Sequence, residues 1–402
     1  MFSARFAAAD HEPSPLWRAL EAARARGDKV LDLTLSNPTA AGISYPGDIP
    51  ALLDRPEVLL YRPDPRGLLP ARQAVAARLA TQGFPGGPEN LLLTASTSEA
   101  YGFLFKLLCD PGDEVLIPSP TYPLFDTLAD LEHVSLIRYP LRHTAGAWRA
   151  DLGMLQNLVS THTRALILVE PNNPTGHTLS PEEAEACLEL AWEHDLAIIV
   201  DQVFSAYMLG VPPRPPLAAR VADGRGPLVF TLDGLSKLAG LPQLKLGWIH
   251  AAGPADRVKE ALGHLEWIAD AYLSVNTPVQ AACADILAHS KPIREAIRRR
   301  LKTNLETAFR DVSPMSPTGR VRPLRPDGGW SLVLEIESGS ADDEAFALGL
   351  LQNRGVYVHP GHLFGFPDIA GRFHLVLSLL TSEADFAEGL RRIQEHAEGI
   401  HG

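Results

Sequence analysis

Leu16, Leu20 and Ala23 recur on one helical face behind Ser14-Pro15, and Gly27 follows them. Serine caps a helix, proline fits its first position and glycine stops it. This spacing therefore predicts a helix ending before Gly27. Val30–Thr34 is a short apolar run that leads into the turn Ser36-Asn37-Pro38. From about Leu68 two patterns alternate. Leu69–Leu79 and Glu99–Leu108 have helical spacing. Leu91–Leu93, Val115–Ile117, Ala165–Val169, Leu196–Val200 and Leu228–Leu232 are continuous apolar runs of strand length. A continuous run, unlike an alternating one, means that both faces of the strand are covered, as in a parallel sheet between helix layers. Ser180-Pro181-Glu182-Glu183 carries a capping box that opens a further helix toward His194. Helix and strand alternating in this way predict crossover connections and an α/β domain.

The texture changes near residue 291. Ile293, Ile297, Leu301, Leu305 and Phe309 repeat every four residues with basic residues between them, the pattern of one long amphipathic helix. Beyond it the pattern predicts strands at Trp330–Ile336, Val356–Val358 and Phe373–Leu379, a helix at Asp342–Asn353 and a closing helix from Glu383. The amino-terminal helix joins this smaller unit, because chain termini often lie together. The expected fold is α/β. A three-layer large domain with a mostly parallel central sheet spans residues 45–290, and a smaller α+β domain is built from 1–44 and 291–402.

Composition narrows the function. Of 402 residues, 46% are hydrophobic and 21% charged, which excludes a mainly disordered chain. The net charge of −12 repels nucleic acid and anionic membranes, so neither is an expected partner. Cys109, Cys187 and Cys283 are widely spaced with no CxxC, which fits reduced, buried thiols rather than disulfides or a metal site. There is no apolar run of about 18 residues and no signal-peptide pattern, so the expected location is the cytoplasm.

Five segments follow predicted strands, where open α/β sheets bind their ligands. A lysine in Gly234-Leu235-Ser236-Lys237 can be desolvated and kept partly neutral for Schiff-base chemistry, although a lone lysine in a turn is ordinarily a surface residue. Asp201 ends an apolar run, where a carboxylate needs a cation. A protonated pyridine nitrogen would serve, and so would a salt bridge or a helix-capping role. Glu170-Pro171-Asn172-Asn173-Pro174-Thr175-Gly176 is a stiff turn that could present an amide to a phenolate oxygen. Ala95-Ser96-Thr97-Ser98-Glu99 opens a helix, which suits phosphate as well as simple capping. In Ser119-Pro120-Thr121-Tyr122-Pro123 the aromatic could stack on a planar heterocycle or lie in the core.

Together the five segments resemble the class I/II aminotransferase family of fold-type I pyridoxal-phosphate enzymes. The resemblance runs from about residue 30 to 380. The spacings fit: 28 residues from Asn173 to Asp201, and 36 from Asp201 to Lys237. The family also accounts for Gly67 six residues after Tyr61, Pro111-Gly112-Asp113, Leu246-Gly247-Trp248, Asp327-Gly328-Gly329-Trp330 and Pro360-Gly361 ahead of Phe364-Gly365. The resemblance implies a transaminase that moves an amino group from an amino acid to a 2-oxo acid by a ping-pong mechanism, with pyridoxal 5'-phosphate as cofactor and a homodimer as the working unit. It implies that Lys237 forms the Schiff base and moves the α-proton, and that Asp201 keeps the pyridine nitrogen protonated. Asn173 would bond the phenolic oxygen and Tyr122 would stack on the ring. Ser96, Thr97, Ser98, Ser236 and Lys245 would hold the phosphate, joined by Tyr61 from the neighbouring subunit. The Ser36-Asn37-Pro38 turn, with Asn37, and Trp330 would lie by the substrate.

The sequence departs from this family at four positions. Gly234 stands where a serine or threonine is usual, Lys245 where an arginine pairs with phosphate, and Phe204 where a tyrosine often bonds the phenolic oxygen. The fourth departure concerns the arginine that clamps the substrate carboxylate. In Gly371-Arg372-Phe373-His374 the alignment puts His374 at that position, with Arg372 two residues earlier on the same strand face. Either residue is a candidate clamp, and either could instead be structural. Trp330, Tyr45 and His359 fall near the site without defining a side-chain pocket. A lyase or decarboxylase on the same cofactor, and a non-catalytic regulatory module, are the competing readings.

Overall fold

The structure, a computed structural model, describes all residues except 1, 2, 4, 6–11, 211–213, 222, 223, 313–318, 338–341, 368, 370 and 400–402. Its strands are β1 (Leu31–Asp32), β2 (Leu91–Thr94), β3 (Glu114–Ser119), β4 (Ser135–Thr144), β5 (Ala147–Ala150), β6 (Thr163–Val169) and β7 (Ala197–Asp201). They continue with β8 (Val229–Gly234), β9 (Gly247–Ala252), β10 (Val321–Leu324), β11 (Ser331–Glu337), β12 (Val356–Tyr357), β13 (His359–Pro360) and β14 (Arg372–Ser378).

Eight strands form one large sheet in the order β2-β9-β8-β7-β6-β3-β4-β5. The pairs β8–β7, β7–β6, β6–β3 and β3–β4 are parallel. Antiparallel β9 lies between β2 and β8, and β5 closes a hairpin on β4. The sheet is therefore mostly parallel, as the continuous apolar runs require. Strands β7 and β8 are buried at every residue, and alternate side chains enter different cores. Ile167, Ile199 and Phe230 pack with Phe103, Phe105 and Leu265 of helices Thr97–Leu108 and Ala255–Asp270. Leu166, Leu168, Ile198 and Val200 belong to a second core shared by helices Leu69–Ala80, Pro181–Glu193 and Cys283–Asp311. Each such buried aliphatic side chain contributes about 1.5–3 kcal/mol. The result is three layers with the sheet in the middle.

Strands β10, β11, β14 and β13 form a smaller antiparallel sheet. The amino-terminal helix Pro15–Arg26 begins with the Ser14 hydroxyl accepting from the Trp17 N–H and ends at Gly27 with φ 77°. It leads into β1, which pairs in parallel with β12 and so ties the chain's start to this second unit. Only two residues of Val30–Thr34 pair as strand. The Asp32 carboxylate accepts from both the N–H and the hydroxyl of Thr34 and turns the chain. The long helix starts at Cys283 and runs through residue 291 without a break, with Pro292 inside it. Among the described residues no helix is long and apolar enough to cross a membrane, and none of the three cysteines is in a disulfide.

Candidate active site

The parallel strands end on one edge of the large sheet, and a cavity of about 490 Å³ opens there. Asp201 is the last residue of β7. Its carboxylate accepts from the Val203 N–H at 3.1 Å and from the Tyr101 hydroxyl at 3.2 Å. Burial pushes this carboxyl up to about 6, against the pull of those two hydrogen bonds and of Lys237. Lys237 sits in the one-turn helix after β8, where the Tyr207 hydroxyl donates to its carbonyl at 2.6 Å. Its Nζ lies 5.0 Å from the centre of the Trp330 ring and 5.7 Å from that of Phe204. Burial lowers the pKa of its ammonium, and Asp201 opposes that shift. A desolvated amine beside a buried carboxylate is a pair suited to carbonyl and pyridine chemistry.

Helix Thr97–Leu108 points its amino terminus into the cavity. Ser96 caps it, its hydroxyl accepting from the Glu99 N–H, while Thr97 and Ser98 line the wall with Ser236 and Lys245. A helix amino terminus, three hydroxyls and an ammonium group form an oxyanion cradle. Two glycines allow the backbones to close around it. Gly234 and Gly247 face each other across β8 and β9. A Cβ at Gly234 would come within 2.9 Å of the Leu246 carbonyl oxygen, and one at Gly247 within 3.2 Å of the Ser96 carbonyl carbon. Glycine at 234 thus has a steric reason in this chain. On the opposite wall the Ser331 hydroxyl donates to Asn173 Oδ1 at 3.1 Å, which leaves the Asn173 amide N–H groups as donors. Tyr122 lines the mouth, and Trp330 is fixed edge-on between Phe204 and Tyr207.

The cavity therefore brings together Ser96, Thr97, Ser98, Tyr122, Asn173, Asp201, Ser236, Lys237, Lys245 and Trp330. The residue set fits a phosphorylated pyridine aldehyde. It offers an oxyanion cradle at one end, a buried carboxylate for a ring cation, an amide donor and a desolvated amine.

Four expected residues lie elsewhere. Asn37 spends its Oδ1 on the N–H and hydroxyl of Thr39, and its neighbours Thr34 and Ser36 line the cavity instead. Tyr61 is 81% exposed and lines a separate depression with Leu273. Arg372 lies outside the cavity, 3.2 Å from Glu337. His374 is buried, stacked on Phe366 with ring centres 4.4 Å apart and 3.9 Å from Glu335; burial depresses its pKa to about 4. Neither candidate clamp reaches the cavity. The part of β14 that does is Val376, Leu377 and Ser378, so the wall there is short and uncharged. Among the described lining residues the only cations other than histidine are Lys237 and Lys245. Tyr45 is also outside, donating to the Gly240 carbonyl at 2.6 Å, whereas His359 lines the cavity.

Sequence reasoning placed the turn that carries Ser36 by the substrate but missed Tyr101, Thr34, Ser331 and Ser378. Tyr101 could have been found from its place one helical turn after Ser98. The others depend on contacts between distant segments. Ser378, for example, donates to the Leu35 carbonyl at 2.6 Å and so holds residues 33–36 against β14.

A family model described as aminotransferase class I and II matches residues 46–393. An alanine aminotransferase of Mycobacterium tuberculosis is 28% identical over 376 residues, covering 92% of this chain and 86% of its own. An arginine–pyruvate transaminase of Pseudomonas aeruginosa is 31% identical over 337 residues, covering 82% and 80%. Among solved structures, an aminotransferase from Escherichia coli superposes with a TM-score of 0.88 at 25% identity, covering 100% of this chain and 99% of that one.

Proposed function

The chain belongs to the aminotransferase class I and II family, and from that premise we propose how its own residues move an amino group from an amino acid to a 2-oxo acid with pyridoxal 5'-phosphate. The observation that carries the reading is the pairing of a desolvated Lys237 with a buried Asp201 in one cavity. When bound, the cofactor supplies an electron sink for negative charge developing at the substrate's α-carbon. Lys237 would hold it through its ε-amine and would move the proton at the substrate's α-carbon. Burial of Nζ beside Trp330 and Phe204 lowers its pKa and so favours the neutral, nucleophilic amine. Asp201 holds a proton on the pyridine nitrogen, with Tyr101 and Val203 fixing its carboxylate. Asn173 donates to the phenolic oxygen. Ser96, Thr97, Ser98, Ser236 and Lys245 bind the phosphate, with Lys245 acting as a point charge rather than a planar fork.

With both lysines committed, the described residues lining the cavity offer no third lysine or arginine to a substrate carboxylate. The carboxylate would meet neutral donors, the Asn173 amide and the Ser36 hydroxyl, at the wall formed by Val376 and Ser378. A homodimer also fits. Leu59, Leu60 and Tyr61 form an exposed apolar run, and Tyr61 shares a depression with Leu273. A second copy would cover it, and sedimentation velocity would detect the dimer. Three unpaired cysteines suit a reducing cytoplasm.

The test is spectroscopic. Purified protein supplied with pyridoxal phosphate should absorb visible light, an amino donor should bleach that band, and a 2-oxo acid should restore it. Lys237→Ala should abolish both the band and the turnover. A protein that stays colourless, or that releases pyruvate and ammonia with no acceptor present, would overturn the reading.

A further inference from the structure

Behind the active site lies a second cavity of about 670 Å³. The segment after β7 is the partition between the two. Asp201, Val203 and Phe204 face the active site, while Gln202, Ser205 and Met208 face the second cavity. The turn after β6 divides in the same way, with Asn173 on one side and Glu170 and Pro171 on the other.

The second cavity is basic in a chain whose net charge is −12. Among the described lining residues, Arg78, Arg214, Lys291, Arg294 and Arg298 stand against only two carboxylates, Glu170 and Glu295. Glu170 is a weak counterion: burial raises its pKa, and its Oε1 already accepts from the Leu179 N–H at 3.1 Å. Lys291, Arg294 and Arg298 follow one another at helical spacing on the long helix, and Arg78 approaches from helix Leu69–Ala80. Among the described residues none of these four is in an ion pair. Arg298 donates Nε to the Ala206 carbonyl at 2.7 Å and Arg294 donates to the Ser290 hydroxyl. Most of the five N–H donors on each guanidinium are thus unspent. Arg78 has a buried Nε with no hydrogen-bond partner. Arg78 and Arg294 are half-buried and desolvated, whereas Arg214, Lys291 and Arg298 are exposed. Like charges gathered around one concave space repel unless an anion joins them.

We propose that this cavity binds a small multivalent oxyanion, a phosphate ester or polycarboxylate, at a site separate from the transamination centre. Guanidinium forks suit both chemistries, since each presents paired oxygens. The loop 202–208 would then have the anion on one face and the active site on the other, and Arg78 and Arg294 act electrostatically on buried Asp233, which Asp201 also influences.

The experiment is calorimetric titration of the full-length protein, loaded with pyridoxal phosphate so that its phosphate cradle is filled. Pyrophosphate and citrate are titrated separately at one ionic strength fixed with sodium chloride. One saturable site per chain is expected for at least one probe, and the stronger probe identifies the phosphate or carboxylate source. Lys291→Gln combined with Arg294→Gln should weaken that binding at least tenfold while leaving the visible spectrum intact. Should the double variant fold poorly, Lys291→Glu, at an exposed position, should also weaken it tenfold. Absence of saturable binding by both probes, or wild-type affinity in the folded variants, would overturn the proposal.

Discussion

Asp201→Asn separates the cost of a buried charge from its use. In the cofactor-free protein, burial raises the Asp201 carboxyl from 3.8 to about 6. The folded state then holds the proton more tightly than the unfolded state does. This contribution to stability is fully present below about pH 4 and is lost as pH rises toward 6, after which it stays constant. Two pKa units at 1.36 kcal/mol each give a penalty of about 3 kcal/mol at pH 8. Asparagine cannot ionise, yet it can still accept from the Val203 N–H and bond the Tyr101 hydroxyl. The cofactor-free variant should therefore be more stable than wild type at pH 8 by up to about 3 kcal/mol, and the gap should close toward pH 4. Asp233, pushed up to about 7 chiefly by burial, is raised further by Asp201, so in the variant it ionises more easily and adds to the gap above pH 6. Adding pyridoxal phosphate should stabilise wild type more than the variant, because only a carboxylate neutralises the ring cation. Turnover in the variant should fall on the order of 10²-fold or more. Urea melts from pH 4.5 to 8, with and without cofactor, supply the measurement. A variant no more stable than wild type at pH 8, or a gap that does not change with pH, would refute the argument.

The location of the two candidate clamps gives a kinetic prediction. Arg372→Ala and His374→Ala should leave KM for the amino donor within about twofold, since neither side chain faces the cavity. His374→Ala should nonetheless lower stability by about 1–3 kcal/mol through lost packing on Phe366. A tenfold rise in KM for either variant would restore a clamp role. Gly234→Ala should cost about 1–3 kcal/mol and weaken cofactor retention, because its Cβ meets the Leu246 carbonyl oxygen. Dialysis followed by absorbance would detect the loss, and a variant that keeps wild-type retention and stability would show that β8 and β9 can yield.

What the sequence made legible follows from how local each signal is. Strands β6 and β7 were readable because both faces are buried, so their central residues are all apolar, and in β8 only the small Thr231 stands between Phe230 and Leu232. The hairpin β4–β5 was not, since its edge position leaves much of it exposed and mixed in character. Strand β9 is wholly buried but includes His250, whose Nε2 lies 2.8 Å from the Pro85 carbonyl oxygen, so a polar residue broke an otherwise apolar run. The same distinction governs the site. Asp201, Lys237, Asn173 and Ser96–Ser98 come directly after strands, and the sheet delivers them to one edge whatever the rest of the chain does. A substrate clamp on β14 obeys no such rule. Alternation along a strand fixes which face a residue takes, so Arg372, His374 and Val376 share parity. It does not fix how far along the strand the cavity lies. That depth is set by the pairing of β14 with β11, which puts His374 opposite Glu335 and Ser378 opposite Ser331, and by the bond from Ser378 to Leu35. The cavity therefore begins at Val376, and a charge expected from the motif is replaced by a valine methyl at the position that matters. On the proposed reading, affinity for the amino donor would rest on neutral hydrogen bonds, which are weaker than a guanidinium fork and less sensitive to salt.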